Sequence, residues 1–257
     1  ILDSGFWILD SGFWILDSGF WILDSGTSIR VFGEELLKDK RPINILLTHH
    51  HWDHIQGFPF FLPIYQADRE INIYIAKTEP CDNNAILAQM DKSYFPVNYR
   101  QLPSNITLKP ISEKSFNVSG SAIECIPINH PNNGLAYLIS RDRKRIAYVT
   151  DNELFPEAHQ TTDYDQWLSS LLDIDELIHN GQYLDSELSE KHDWGHSSVE
   201  QALILAEQCG AKKTFNYSNA PKCTDDEIDS CNVRLSELMP NMTFDLLKKD
   251  CSLIFFF

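Results

Sequence analysis

Residues 43–48, INILLT, form an almost unbroken apolar run between Pro42 and a polar cluster. That is how a strand buried on both faces reads. Directly after it come His49, His50, His51, Trp52, Asp53 and His54. A buried strand that ends in histidines and a carboxylate must deliver them together to one edge of a sheet. Imidazole and carboxylate are the usual ligands of zinc, manganese and iron. While the chain stays extended, His49 and His51 point the same way, because side chains alternate along a strand. Asp53 and His54 follow on the turn and reach a neighbouring point, so one segment can serve two adjacent metals. A polyhistidine tag remnant would not be interrupted by Trp-Asp or embedded after a core strand.

The rest of the chain alternates short apolar runs with helical stretches. Strands are expected at 22–23, 71–76, 106–111 and 123–128, and a helix at 28–38. Residues 135–140 and 145–150 flank the charged turn Arg141-Asp142-Arg143-Lys144 and predict a hairpin. The clearest helix follows Ser197. Ser197 and Glu200 have the spacing of a capping box, Val199, Ala202, Leu203 and Ala206 recur at helical spacing, and Gly210 supplies the stop. Strands mixed with helices, without a Gly- or Pro-rich linker, predict one α/β domain with helices covering its sheets.

Composition narrows the function. With 37 acidic and 21 basic residues in 257, the formal net charge is -16, which argues against gripping long nucleic acid through a basic surface. No apolar run approaches the roughly 18 residues that cross a bilayer, so no membrane span is expected. Cys81, Cys125, Cys209, Cys223, Cys231 and Cys251 show neither CxxC nor zinc-finger spacing. They read as reduced thiols, with nothing around any of them to suggest a nucleophile. No signal-peptide pattern is visible, and a cytoplasmic location is the expectation.

The chain opens with ILDSGFW in three identical copies, at 1–7, 8–14 and 15–21, followed by ILDSG at 22–26. Repeat architectures use longer units that vary between copies. FWIL strands joined by Asp-Ser-Gly turns are one physical reading. The reading we favour is an artefactual, non-native duplication over 1–21 of the segment that starts at Ile22. The acid excess survives removal of the copies.

HHHWDH matches the HxHxDH motif of the metallo-β-lactamase superfamily, and further segments resemble that family in the expected order. Asp24-Ser25-Gly26 resembles its early D-x-G turn. His130, in Ile128-Asn129-His130-Pro131, falls where the family has its third metal histidine. Asp151, after Tyr148-Val149-Thr150, falls where it has a bridging carboxylate. The segment from Leu177 through His179, Asn180 and Gly181 to Tyr183, and Gly195-His196-Ser197-Ser198, resemble the phosphodiesterase branch, which includes ribonuclease Z and bacterial cyclic-nucleotide phosphodiesterases. The resemblance covers the chain from about Ile22 to beyond Pro221, and implies a single α/β domain over 22–257, an αββα sandwich. The strands that normally precede the D-x-G turn are missing or replaced by the repeats, which would leave a sheet edge unpaired.

Carried over, the resemblance assigns His49, His51 and His130 to one divalent metal, Asp53 and His54 to a second, and Asp151 to both. Zinc is expected, with manganese or iron as alternatives. Two such ions roughly 3.5–4 Å apart lower the pKa of a shared water and polarise a phosphoryl oxygen, giving a bridging hydroxide as nucleophile. Asp53 would also orient that hydroxide or relay its proton. His196, just before a capped helix whose N–H groups favour an anion, would donate a proton to the leaving group or stabilise the phosphoryl oxygens. His50, His159 and His192 match no role.

Two departures stand out. Asn216 replaces the histidine that usually completes the second site, and an amide oxygen is a weaker ligand than imidazole. Asn180 replaces an acidic residue that would orient and charge a catalytic histidine. The expected function is hydrolysis of a small phosphodiester, such as a cyclic nucleotide. The alternative is a catalytically weakened metal- or nucleotide-binding protein of the same fold. A tRNA 3′-processing endonuclease and a lactonase rank lower, since no basic arm is visible and GHSS resembles the phosphodiester branch. Dimers are common among the resembling enzymes, so a homodimer is a further expectation. Phe58, Pro59, Phe60, Phe61, Tyr65, Tyr94 and Phe95 are either a pocket wall able to stack on a base or plain core.

Overall fold

Two successive copies of Gly-Phe-Trp-Ile-Leu become strands. β1 (Gly12–Leu16) and β2 (Gly19–Leu23) pair antiparallel in the computed structural model, with Gly12 opposite Leu23. The structure describes residues 12–16, 19–76, 84–158, 160–217, 220, 222–248 and 254–255. It divides into two compact units, residues 1–112 with 250–257 and residues 113–249, each holding its own sheet.

In the first unit, β3 (Ile43–Leu47), β4 (Glu70–Ala76) and β5 (Asn105–Ile111) extend the sheet in parallel from β2. β2 therefore has a strand on each side. All five residues of β3 are buried, as its continuous apolar run predicts. Helix α1 (Ile29–Leu36) buries Ile29, Phe32, Gly33 and Leu36, the i, i+3, i+4, i+7 stripe of an amphipathic helix. That stripe shares one core with Ile43, Ile45, Ile71 and Ile73 of the sheet and with Phe58, Phe61 and Ile64. The one-turn helices α2 (Trp52–Ile55) and α3 (Ala85–Ala88) complete the unit's α-helices among the described residues.

In the second unit, β6 (Ser115–Val118), β7 (Ser121–Pro127), β8 (Leu135–Arg141) and β9 (Lys144–Val149) form an antiparallel meander. The predicted hairpin is β8–β9. Its two-residue turn places Asp142 and Arg143 at positive φ, the geometry that matches strand twist. β10 (Glu176–Asn180), β11 (Lys213–Tyr217) and β12 (Phe244–Leu246) then add in parallel. Two antiparallel steps separate β7 from β9, so β7, β9, β10 and β11 all end at the same edge. A short β13 (Ile254–Phe255) pairs parallel with β1 in the first sheet.

Helices α4 (Tyr164–Ser170) and α5 (Val199–Gln208) bury Trp167, Leu205 and Ala206 against Leu138, Ala147, Val149 and Leu177. α6 (Asp225–Leu238) packs Ile228 and Leu235 on Val199 and Leu203. The α5 box differs from the expected one: Ser198, not Ser197, is the N-cap and Gln201 its partner. Ser197 is spent elsewhere, its Oγ donating to Asn152 O at 2.6 Å and accepting from Leu154 N at 3.1 Å. Asp163 with Gln166 and Thr224 with Glu227 cap α4 and α6 in the same way.

His179 is the one histidine built wholly into β10. Its Nδ1 donates to Asn180 O at 2.7 Å, and burial pushes the imidazole down to about 4 against that bond's opposing pull. From its ordinary 6.5 down to about 4, the unfolded chain takes up a proton that the folded chain refuses. The resulting stability is complete above that window and lost as pH falls through it. His179→Gln should remove up to about 3 kcal/mol of acid sensitivity, read from urea midpoints between pH 7 and 4. Identical pH dependence in the two proteins would show that His179 does not carry it.

Candidate metal centre

The first unit assembles its half of the centre around a buried carboxylate. β2 and β3 run parallel, so Asp24, just past β2, and Thr48, just past β3, meet at one edge. Asp24 Oδ1 accepts from Thr48 N at 2.7 Å, and Thr48 Oγ1 donates to both carboxylate oxygens at 2.9 Å. Asp24 Oδ2 lies 2.9 Å from His54 Nδ1. Burial pushes the Asp24 carboxyl above its usual range, against the pull of His54 and Thr48. The turn is closed further by Ser25 N donating to His54 O and Gly57 N donating to Ser25 O. A Cβ on Gly57 would lie 2.0 Å from Gly26 O, so only glycine allows this approach.

This scaffold gathers three imidazoles. The His49 ring centroid lies 4.6 Å from that of His51 and 4.2 Å from that of His54. His49 Nδ1 is 3.1 Å from Thr48 Oγ1, and His54 Nε2 is 3.5 Å from Asp53 Oδ2. His49 and His54 are buried, and Asp53 is partly exposed. Clustered imidazoles, two of them oriented at Nδ1 by an oxygen and one with its Nε2 facing a carboxylate, are a donor set that suits a divalent ion.

The second unit supplies another cluster. His130 follows β7, Asp151 follows β9 and Asn180 ends β10, all at the shared edge. Ligand-capable atoms of His130, Asp151 and His196 lie within 4.8 Å of one another. His130 Nε2 is 3.9 Å from Asp151 Oδ2, and His196 Nδ1 is 3.8 Å from Asp151 Oδ1. His130 Nδ1 is 3.0 Å from Gly195 O, and a carbonyl can only accept. Nδ1 therefore carries the hydrogen, leaving the Nε2 lone pair for a metal. Asp151 itself sits at φ +24, a backbone conformation that side chains rarely adopt and that clusters at functional sites.

Three supports of this cluster have no counterpart among the residues chosen from sequence. Glu153, pushed above its usual range by burial, accepts from Asp193 N and Gly195 N at 3.0 Å each, fixing the loop whose carbonyl orients His130. Gly195 stands at φ +83, and a Cβ there would lie 1.9 Å from His130 Nδ1. Asn129 holds the segment before His130 by donating to Glu153 O and Thr162 O. On the first unit the missed residues are Asp24, as orienter of His54, and Thr48. The D-x-G turn was the signal for Asp24.

Other expectations are modified. At the start of α5 two first-turn donors are already used: Val199 N donates to Tyr183 O and Gln201 N to Ser198 Oγ, and Ser198 Oγ contacts Asp185. These bonds leave fewer first-turn donors for an anion, and Asp185 stands close by. His196 instead meets Asn180, whose Nδ2 lies 2.9 Å from His196 Nδ1. Asn216 is buried, and neither atom of its amide has a hydrogen-bond partner among the described residues. His192 is exposed beside Glu153 and Glu157, His50 is half-buried, and His159 lies outside the described residues. Burial and Glu124 push the Cys125 thiol up to about 12, which makes it a poor nucleophile. Cys209 is raised by burial too; Cys81 and Cys251 lie outside the described residues.

No helix among the described residues is long and apolar enough to cross a membrane. A comparison with curated protein sequences gave no match. The family model described as beta-lactamase superfamily domain matches residues 20–216. Among solved structures, the metallo-β-lactamase fold protein YhfI from Bacillus subtilis is similar at 15% identity and a TM-score of 0.62, covering 91% of this chain and 87% of that one. A diphosphatase from the PhnP family gives 19% identity, a TM-score of 0.62, and 93% and 83% coverage. The short form of human tRNase Z gives 16%, 0.61, and 92% and 88%. With its mixed α/β architecture and histidine–aspartate clusters, the chain belongs to the beta-lactamase superfamily domain family and has the metallo-β-lactamase αββα fold.

Proposed function

We infer that this protein is a metal-dependent hydrolase of a small phosphodiester. The observation that carries the reading is the His130–Asp151–His196 cluster, in which His130 is held in one tautomer by Gly195 O. The diphosphatase and tRNase Z among the similar structures are named for phosphorus-centred reactions, which supports the same choice. The excess of acidic over basic residues favours a small substrate over a long nucleic acid.

In this reading His49, His51 and His130 would hold one ion, Asp53 and His54 another, and Asp151 would be available to both, with zinc as the expected metal. Such ions, when bound, would supply Lewis acidity at a phosphoryl oxygen and lower the pKa of a water toward neutrality. The chain's own residues do the rest. Asp24 and Gly195 O hold the imidazoles of His54 and His130 in their ligating orientation. Asp53 accepts the proton of the attacking water. His196 faces the leaving oxygen and hands it a proton. As placed, the Asn180 amide donates to His196 Nδ1, which leaves the hydrogen on Nε2 for that transfer.

A second reading, a metal- or nucleotide-binding protein with weakened turnover, draws on Asn216 and Asn180. A buried amide at position 216, with no partner among the described residues, is a weak ligand for the second ion, and an amide at 180 cannot charge His196.

Chelation of purified protein should abolish hydrolysis of bis(p-nitrophenyl) phosphate, and zinc or manganese should restore it. Asp151→Asn should lower kcat/KM by at least about 100-fold. Metal-loaded protein that shows no hydrolysis would move the binding-protein reading ahead. Gly195→Ala should weaken metal affinity about 10- to 100-fold by displacing His130, with circular dichroism unchanged; wild-type affinity would remove Gly195 from the account. Asn180→Glu should raise kcat about tenfold for diesters with alkoxide leaving groups and little for p-nitrophenolate, which needs no proton. An equal effect on both would mean that His196 is not the proton donor.

A further inference from the structure

The first unit contains a cleft of about 630 Å³ that none of the proposed metal ligands lines. Its volume lies in the range of small-molecule sites, about 300–1,000 Å³. Its walls include Trp52, Gln56, Phe60, Gln89, Tyr94 and Phe95, and none of the described residues that line it carries a charge. Trp52, Phe60 and Tyr94 are 70%, 53% and 86% exposed. Large aromatics left facing solvent around one concavity mark a binding surface more often than chance exposure. Phe58 and Phe61, their sequence neighbours, are fully buried in the core, and Tyr65 donates to Pro59 O. The aromatic stretch is thus split between core and cleft wall.

The cleft's polar atoms specify its occupant further. Gln89 Nε2 donates to Ile55 O at 2.7 Å and Ile86 O at 2.8 Å, so both its hydrogens are spent. The Gln89 oxygen can then only accept. Gln56 Nε2 is a buried donor with no hydrogen-bond partner among the described residues. Phe60 and Phe95 pack edge to face at 5.5 Å and 88°, leaving ring faces for stacking. A hydrocarbon ring would leave the Gln56 donor unsatisfied, at a cost, and a charged group would lose its hydration without gaining a partner. A flat, uncharged heterocycle with both acceptor and donor on its edge satisfies every wall.

Position links this cleft to the chemistry. Trp52 and Gln56 lie four residues apart and share one face of α2, while Asp53 and His54 occupy the residues between them. One helical turn therefore carries a wall of the cleft and two proposed metal ligands.

We propose that the cleft binds the heterocyclic base of a nucleoside phosphodiester, by stacking on its aromatics and pairing with Gln56 and Gln89. The phosphodiester half of that statement rests on the function proposed above; the ring-binding half does not. The test compares thymidine 5′-p-nitrophenyl phosphate with methyl p-nitrophenyl phosphate, which share a leaving group, and measures thymidine binding by tryptophan fluorescence. Metal-loaded wild type should favour the nucleoside ester about tenfold in kcat/KM and bind thymidine saturably. Phe60→Ala and Gln56→Leu, both near the surface, should each weaken thymidine binding several-fold and erase the preference while leaving the methyl ester's kcat/KM intact. Hydrolysis of both esters at equal kcat/KM, without thymidine binding, would overturn the cleft assignment and leave the phosphodiesterase reading standing. Thymidine binding that depends on Phe60 and Gln56, in a protein that cleaves neither ester, would uphold the cleft and sink the phosphodiesterase reading. Binding unchanged in both variants would overturn the cleft assignment.

Discussion

The Asp24 carboxylate is the interaction on which the first unit's site depends. It is fully buried, and burial of a carboxyl is tolerated only where hydrogen bonds compensate it. Here they come from the backbone and hydroxyl of Thr48 and from the His54 ring. Those three contacts join the end of β2, the end of β3 and the helix α2. Thr48 in turn reaches His49. One carboxyl thus sets the end of a strand, the closure of a turn and the orientation of two imidazoles. Removing it would leave His54 without its oxygen partner and Thr48 N without its acceptor, so damage to the fold and to the site would arrive together.

The second unit solves the same problem with backbone rather than with a side chain. His130 is oriented by the carbonyl of Gly195, and the loop bearing that carbonyl is held by Glu153 through two N–H groups. Glycine is required because a Cβ would collide with the ring it orients. Ser197 ties the same loop to Asn152 and Leu154, next to Asp151. The three cluster residues are therefore cross-braced along the chain from 129 to 154 and from 193 to 198. Such bracing keeps reorganisation small when a ligand binds.

These two solutions explain what could and could not be read from sequence. The β3 strand and its histidines were legible because burial and ligand chemistry both leave marks in residue type. The β8–β9 hairpin was legible from its charged turn. α4 and α6 were not identified, although their caps, Asp163 with Gln166 and Thr224 with Glu227, have the same spacing that revealed α5. The error at α5 had a different origin: two adjacent serines each satisfy the pattern, and only tertiary bonds to Asn152 and Leu154 remove Ser197 from the competition. The Gly195 carbonyl was invisible in principle, since every residue has one. The split of the aromatic stretch into core and cleft needed the third dimension, because Phe58, Phe60 and Phe61 are alike in type and differ only in direction.

The surroundings of the second-unit cluster show how an acidic protein can present a site to an anion. The chain's net charge of -16 repels a phosphate at long range, although salt screens that field beyond about 8 Å. Close to the cluster the balance differs. Asn129, Asn152, Asn180 and Asn216 are buried amides, which donate and accept without adding charge. Glu153 is turned onto the backbone N–H groups of Asp193 and Gly195, which partly offset its charge. Asp151 is thus the carboxylate that faces the two histidines. An amide at position 180, where the resemblance expects an acid, lowers the negative potential felt by an incoming phosphate and cannot hold an imidazolium at His196. An amide at 216 in place of a histidine weakens the hold on a second cation. At position 180 affinity for an anionic substrate and strength of the proton machinery are therefore opposed, and this sequence carries the amide there.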